Sequence, residues 1–255
     1  MSSSIWTPAA LSSNALGSAG RCWRFVEAQH HVSTAKLTDT REEQERLEQL
    51  IEDSKPAIPE ECRHLHYLLW TPFRYGAPYP KGSRFRRAGL TPGVFYASEV
   101  AETAAVETAF YRLLFFAESP ATPWPANAGD YTAFAVEYAT GRAIDLTKKP
   151  FDAHRDVWVH PTQYDECQTL ADAARAESID VIRYESARDP ERRTNVAVLR
   201  CRAFAKPEEV ARQTWRIHFS ASGVRAIREF PKLILNYDRD TFAGDPRVAG
   251  MTWKR

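Results

Sequence analysis

The 255-residue chain is 44% apolar and 26% charged, which fits a globular protein with a sizeable core and excludes disordered and fibrous classes. Thirty-four basic and thirty-three acidic side chains leave a net charge of +1, so no global field favours long nucleic-acid contacts, and an anionic ligand must be met locally. No stretch of about 18 apolar residues suggests a membrane span. The opening twenty residues lack a basic start and an apolar signal core, so the expectation is a soluble, cytoplasmic protein.

Residues 1–20, rich in Ser and Ala, are expected to be a flexible N-terminal segment, with a single domain over 21–255. Cys22 to Val26 reads as a first strand. Thr40 to Asp53 places Leu47, Leu50 and Ile51 at helical spacing among charges and stops at Lys55-Pro56, which predicts an amphipathic surface helix. The proline-rich stretch from Pro56 to Pro92 carries the basic cluster Lys81, Arg84, Arg86 and Arg87 and reads as ordered loop. Gly93 to Ala97 predicts a strand, with Ser98 as N-cap of a helix running to about Ala117. Strands are expected at Tyr131 to Tyr138, Ala143 to Leu146, Ile179 to Tyr184, Asn195 to Cys201 and Thr214 to Phe219, with a helix from Tyr164 to Glu177 and a turn through Asp189-Pro190. The last of these is the final strand that the pattern shows, and 231–255 reads as a tail that packs on the core or covers a partner surface. Together these elements predict an α+β domain around one mixed sheet.

Glu107 falls on the stripe Val100, Ala104, Glu107, Tyr111 and Leu114 of the predicted helix, so it should face inward. Buried unpaired it would cost several kcal/mol, so two readings stand: a structural partner of one arginine, or an active-site carboxylate. Phe73-Arg74-Tyr75 and Gly82 to Arg87 offer guanidinium groups beside aromatic rings, which suits a nucleotide diphosphate as well as it suits a solvated basic loop. Ser186 ends a strand outside any nucleophile elbow, and turn capping is its ordinary reading. Cys22, Cys62, Cys167 and Cys201 are scattered, which fits a reducing compartment with cysteines as core residues or bystanders. The histidines His30, His31, His64, His66, His154, His160 and His218 lack metal-site spacing, so no metal is expected. The sequence has neither a dinucleotide-binding glycine fingerprint nor a P-loop.

The order of four segments, Gly-Ser-Arg-Phe (82–85), Val-Phe-Tyr-Ala-Ser (94–98), Thr-Ala-Ala-Val-Glu (103–107) and Tyr-Glu-Ser-Ala-Arg-Asp-Pro (184–190), resembles the RES domain, named for its Arg, Glu and Ser. The match falls on Arg84, Glu107 and Ser186, with Tyr96 on the preceding strand and Arg24 as an early arginine; the motifs lie within 22–204. Trp-Arg-Phe-Val and Thr-Pro-Phe-Arg-Tyr are similar to the longer members. Gly-Ser-Arg-Phe-Arg departs from the Gly-Gly-Arg-Trp-Asn of the compact toxins.

This resemblance implies a fold similar to ADP-ribosyltransferases and diphtheria-type toxins. It implies NAD as substrate with no prosthetic group, cleaved by hydrolysis or phosphorolysis, with ADP-ribosyl transfer to a protein as the alternative. It also implies an antitoxin partner with an Xre-like helix-turn-helix domain, and it leaves homo-oligomerisation open. In that reading Glu107, Arg84 and Ser186 are catalytic, and Arg24, Arg74, Tyr75, Arg84, Tyr96 and Ser186 bind the dinucleotide. A non-enzymatic interaction protein with a structural Arg/Glu network is the second alternative.

Overall fold

The computed structural model describes residues 6–27, 34, 37–75, 82–89 and 91–255. His30, His31 and Lys81 lie outside them. The described strands are β1 (Leu16–Glu27), β2 (Phe95–Ser98), β3 (Gly129–Asp145), β4 (Val181–Glu185), β5 (Thr194–Val198), β6 (Ala211–Ser220), β7 (Gly223–Arg228) and β8 (Leu233–Asp238). They lie in the order β1-β2-β5-β4-β3-β6-β7-β8, and β1 also pairs with β3 along its length. The first five strands therefore close into a ring, and β6 to β8 extend from it. The 17-residue β3 makes this possible: β1 runs along one edge, while β6 pairs with 129–135 and β4 with 143–145. The sheet is mixed, with β3 and β4 parallel and the other pairs antiparallel.

Strand alternation divides the core. Cys22, Phe95, Phe134, Val136, Val181, Val196 and Val198 come from all five ring strands and pack together inside the ring. Leu65 and Leu69 cap that interior from and beside α3 (Tyr67–Arg74), and a Cys62–Cys201 disulfide ties the cap to the end of β5. The scattered spacing of the cysteines hid this pair, since 139 residues separate its members. On the outside, α4 (Ala101–Glu118) lays Ala105, Ala109, Leu113 and Phe116 on Tyr131, Ala133, Trp215 and Ile217. A second outer layer sets Leu170, Ala171 and Ala174 of α6 (Asp165–Ala176) against Ile144, Ile182 and Ala197. Burying each large side chain in these layers contributes about 1.5–3 kcal/mol.

Several expectations need correction. The N-terminal segment is not featureless beyond residue 5: α1 (Pro8–Ser13) is capped by Thr7 and fully buries Leu11 against the α6 layer, and β1 begins at Leu16 rather than Cys22. Ser98 does not cap a helix; it ends β2, and Val100 holds the N-cap position of α4 with no side-chain bond. The two strands read at 131–138 and 143–146 are the single β3. The short α5 (Arg155–Trp158) and, beyond β6, the hairpin β7–β8 and the short α7 (Pro246–Ala249) were not legible. The tail packs on the core, with Val248 buried and Trp253 against Trp124. The predicted surface helix is α2 (Arg41–Asp53), with a Thr40/Glu43 capping box and no buried residue. No helix among the described residues is long and apolar enough to cross a membrane.

Gly93 marks where the chain entering β2 crosses α3. A Cβ there would lie 1.9 Å from the Pro72 carbonyl oxygen, far inside contact distance. Gly93→Ala is therefore expected to cost about 1–3 kcal/mol through a forced backbone shift, read as a Tm lowered by about 5 °C in thermal denaturation. An unchanged Tm would mean that the two segments are not in contact.

Candidate active site

Glu107 sits on α4 where that helix passes the start of β5 and the turn after β4. The buried face of α4 centres on Ala105, Val106, Ala109, Phe110 and Leu113, about one residue away from the predicted stripe. Glu107 is consequently half-buried at the margin of the core face, and Tyr111 is 55% exposed. Adjacent residues on a helix are about 100° apart, so a one-residue error in the stripe turns a core position into a cleft-facing one.

The Glu107 carboxylate is held through one oxygen. Oε1 accepts from Ser186 Oγ at 2.6 Å and from Asn195 Nδ2 at 2.7 Å, whereas Oε2 has no hydrogen-bond partner among the described residues. No ion pair forms at Glu107 among them, so the single arginine that the structural reading calls for is not found there. Ser186, 2% exposed, also accepts the backbone N–H groups of Arg188 (3.2 Å) and Asp189 (3.0 Å). It thus performs both roles open to it: it caps its turn and binds the carboxylate.

That turn is anchored from two sides. Asp189 accepts from Thr103 Oγ1 on α4 at 2.5 Å and from Arg193 Nε and Nη2 at 2.7 and 3.1 Å. Arg188, 8% exposed, donates to Pro161 O, Tyr164 Oη and Asp245 Oδ2, and its guanidinium lies 4.4 Å from the centre of the Phe110 ring, one turn beyond Glu107. Arg247 of α7 shares Asp245 and Tyr164 with it. The C-terminal segment therefore braces the turn that carries Ser186.

Arg84 is brought into this neighbourhood, but not as a free phosphate ligand. It is 7% exposed, donates Nη1 to Trp158 O and Nη2 to His160 O (3.0 Å), and stacks over the Tyr164 ring at 4.9 Å. Its charge and that of Glu107 act on each other, and the Glu107 charge also raises the pKa of the Tyr184 and Tyr111 phenols. Burial pushes the Tyr184 phenol well above its ordinary range, so it stays protonated at neutral pH. Tyr96 fastens the arginine loop to β2: its Oη lies 2.9 Å from Ser83 Oγ and accepts the Phe85 N–H at 2.9 Å. Burial raises its pKa against the opposing effect of these bonds.

Arg24, Arg74 and Tyr75 are not placed at Glu107. Trp23 pairs with Ser98 and shares its face, so alternation turns Arg24 to the other face, where it lies over Phe95 and donates to Tyr96 O at 2.9 Å. Burial lowers its guanidinium to about 10. Arg74 on α3 is spent on Glu52 (2.6 Å) and Pro56 O (2.5 Å). Tyr75 is 37% exposed, and its carbonyl accepts from Arg86 at 2.6 Å.

Sequence reasoning missed Asn195, Arg188 and Asp245. A polar residue opening the otherwise apolar strand run Asn195-Val-Ala-Val was the one available signal, and it was read only as a strand start. Glu61, Cys62 and Cys201 are the described residues grouped closely enough for a metal, but the disulfide consumes both thiolates. A groove lined by Glu27, Arg112, Phe116, Asp130 and Tyr131 lies elsewhere along α4 and contains none of the site residues.

No curated protein matches the chain. Among solved structures, a crystal structure of the M. tuberculosis MbcT-MbcA toxin-antitoxin complex is similar at 13% identity and a TM-score of 0.43, covering 79% of this chain and 90% of that one. The family profile described as RES domain matches residues 58–220, a span that includes Arg74, Arg84, Tyr96, Glu107, Ser186 and Asn195 and leaves out Arg24. With more than half of its length matched, the chain belongs to the RES-domain family.

Proposed function

We propose that this chain is an NAD-consuming enzyme of toxin type that breaks the nicotinamide–ribose bond and passes the ADP-ribosyl group to water or phosphate. One observation carries the reading: among the described residues Glu107 is a carboxylate in no ion pair, oriented through Oε1 by two buried neutral donors, with Oε2 left for a ligand. A structural Arg/Glu network would pair that charge. Holding an unpaired carboxylate in a fixed direction is useful where positive charge develops in a reaction.

Cleavage of the glycosidic bond sends its electron pair to the nicotinamide ring nitrogen and leaves an oxocarbenium-like ribose. In this reading Glu107 Oε2 faces that centre, stabilises it and orients the incoming oxygen, which bonds to the anomeric carbon and releases its proton to solvent. The leaving group departs neutral, so no strong general acid is required, and the protonated Tyr184 phenol is not asked to serve as one. Arg84 and Arg188 supply a positive field for the diphosphate, while Tyr96 keeps the loop carrying Arg84 in place. Arg24 and Arg74 have no part in it. The relation to ADP-ribosyltransferases and diphtheria-type toxins, and an antitoxin with an Xre-like helix-turn-helix domain, belong to the same reading.

Incubating the purified protein with NAD labelled in its adenylate half tests the proposal. Labelled ADP-ribose, or its phosphorylated form when phosphate is present, is the expected product. Label retained on protein would instead assign the transferase chemistry, and intact NAD would reject both. Ser186→Ala, which removes one of the two donors to Oε1, is expected to slow nicotinamide release by about 10- to 100-fold. A wild-type rate would remove Ser186 from the mechanism.

A further inference from the structure

The reaction needs Glu107 to present one oxygen and keep the other occupied, and a single serine cannot fix a carboxylate against rotation. The second donor is Asn195, the second residue of β5 and 3% exposed. Its amide has two ways to face, and the surroundings choose one. Ser98 Oγ, itself 2% exposed at the end of β2, donates to Asn195 Oδ1 at 2.6 Å, which leaves Nδ2 directed at Glu107 Oε1. Ser98 and Asn195 are paired residues of adjacent strands, so sheet register sets their spacing. Helix α4 supplies Glu107 from above that register.

We propose that Asn195 is the positioning residue of Glu107, anchored by Ser98, so that a Ser98–Asn195–Glu107 relay across β2, β5 and α4 aims Oε2 at the reacting sugar. The inference rests on the assignment of Glu107 to NAD cleavage. With Ser186 approaching from the turn and Asn195 from the sheet, two bonds of 2.6 and 2.7 Å converge on one oxygen and hold the carboxylate plane. A carboxylate pinned by one bond alone would rotate about its own axis, and such misplacement costs rate more than it costs binding.

Three variants test this, assayed by nicotinamide release across pH. Asn195→Ala is expected to lower kcat by about 10- to 100-fold with KM changed less than about threefold. Ser98→Ala frees the amide to flip and is expected to give a smaller loss with the same split.

Asn195→Asp is the decisive case. Where the introduced carboxyl is protonated it can still donate to Oε1 and support turnover. Once it ionises, two carboxylates face each other and Glu107 is displaced. Activity of this variant should therefore be best on the acid side and fall as pH rises, a limb that wild type lacks. The charged and titratable groups whose charges act on or with Glu107 are Arg84 from the loop, Tyr184 on β4 and Tyr111 on α4, and Arg188 in the turn and Tyr96 on β2 act in turn on Tyr111. All are shared by wild type and variant, so the new limb reports the substituted position.

A structural role alone predicts lower stability without the split or the limb. Wild-type kcat and KM in Asn195→Ala, or a pH profile of Asn195→Asp parallel to wild type, would overturn the inference while leaving the NAD reading intact. If Asn195→Ala fails to fold, the Ser98→Ala split and the Asn195→Asp profile decide. Absence of nicotinamide release by wild type would remove the NAD reading and this inference with it.

Discussion

Glu107→Gln is expected to slow nicotinamide release by about 10³-fold or more while the melting temperature stays within about 2 °C of wild type. The substitution preserves shape. Its amide oxygen can accept from Ser186 and Asn195 as Oε1 does, and its NH2 group takes the place of Oε2, which has no described partner to lose. Only the charge goes, and with it the stabilisation of a developing cation. Removing one preorganised electrostatic group from a site of this kind costs about 2.7–4 kcal/mol of transition-state stabilisation, or 10²–10³ in rate, and a full charge belongs at or beyond the upper end. Circular dichroism melting alongside the rate separates the two effects. A large fall in Tm with equal slowing of all variants would point to a structural carboxylate.

Asp189→Ala is expected to destabilise the fold by about 3–5 kcal/mol, because it leaves the Arg193 fork and the Thr103 hydroxyl without their common partner in a site where the Asp189 side chain is fully buried. The same group predicts a pH dependence. Burial opposes its ionisation, but the bonds from Arg193, Thr103 and the Glu191 N–H outweigh it and hold the Asp189 carboxyl below its ordinary value. A carboxylate whose pKa is depressed on folding contributes stability above the unfolded value of about 4, and loses it as pH falls through the lower folded value. Urea titrations at pH 7 and near pH 3 should therefore show wild type losing more stability on acidification than Asp189→Asn. Equal losses would mean that the turn is held by something other than this ion pair.

The sequence carried the elements that local pattern determines. The Leu47, Leu50 and Ile51 spacing before Lys55-Pro56 announced α2, the Leu170, Ala171 and Ala174 spacing announced α6, and the apolar runs announced most of the sheet. It could not show β7 and β8, whose short, polar-interrupted runs acquire strand character only by pairing beyond β6.

At the site, helical periodicity turned Glu107 away from solvent but misplaced it by about one residue, enough to confuse core with margin. Its contact with Ser186 joins residues 79 apart and followed from the family's motif order, not from any spacing rule. The arginines misled for a related reason. Nearness to a motif in sequence suggested that Arg24 and Arg74 converge with Arg84, yet strand parity sends Arg24 inside the ring and Glu52 claims Arg74. Asn195 and Asp245 depend on register and on the return of the C-terminal segment, which no local window contains.

The most direct test of the account is a proton NMR time course of NAD with catalytic amounts of wild-type protein. The account predicts free nicotinamide appearing together with ADP-ribose, or with its phosphorylated form in phosphate buffer. A spectrum in which NAD persists unchanged at every enzyme concentration would contradict it.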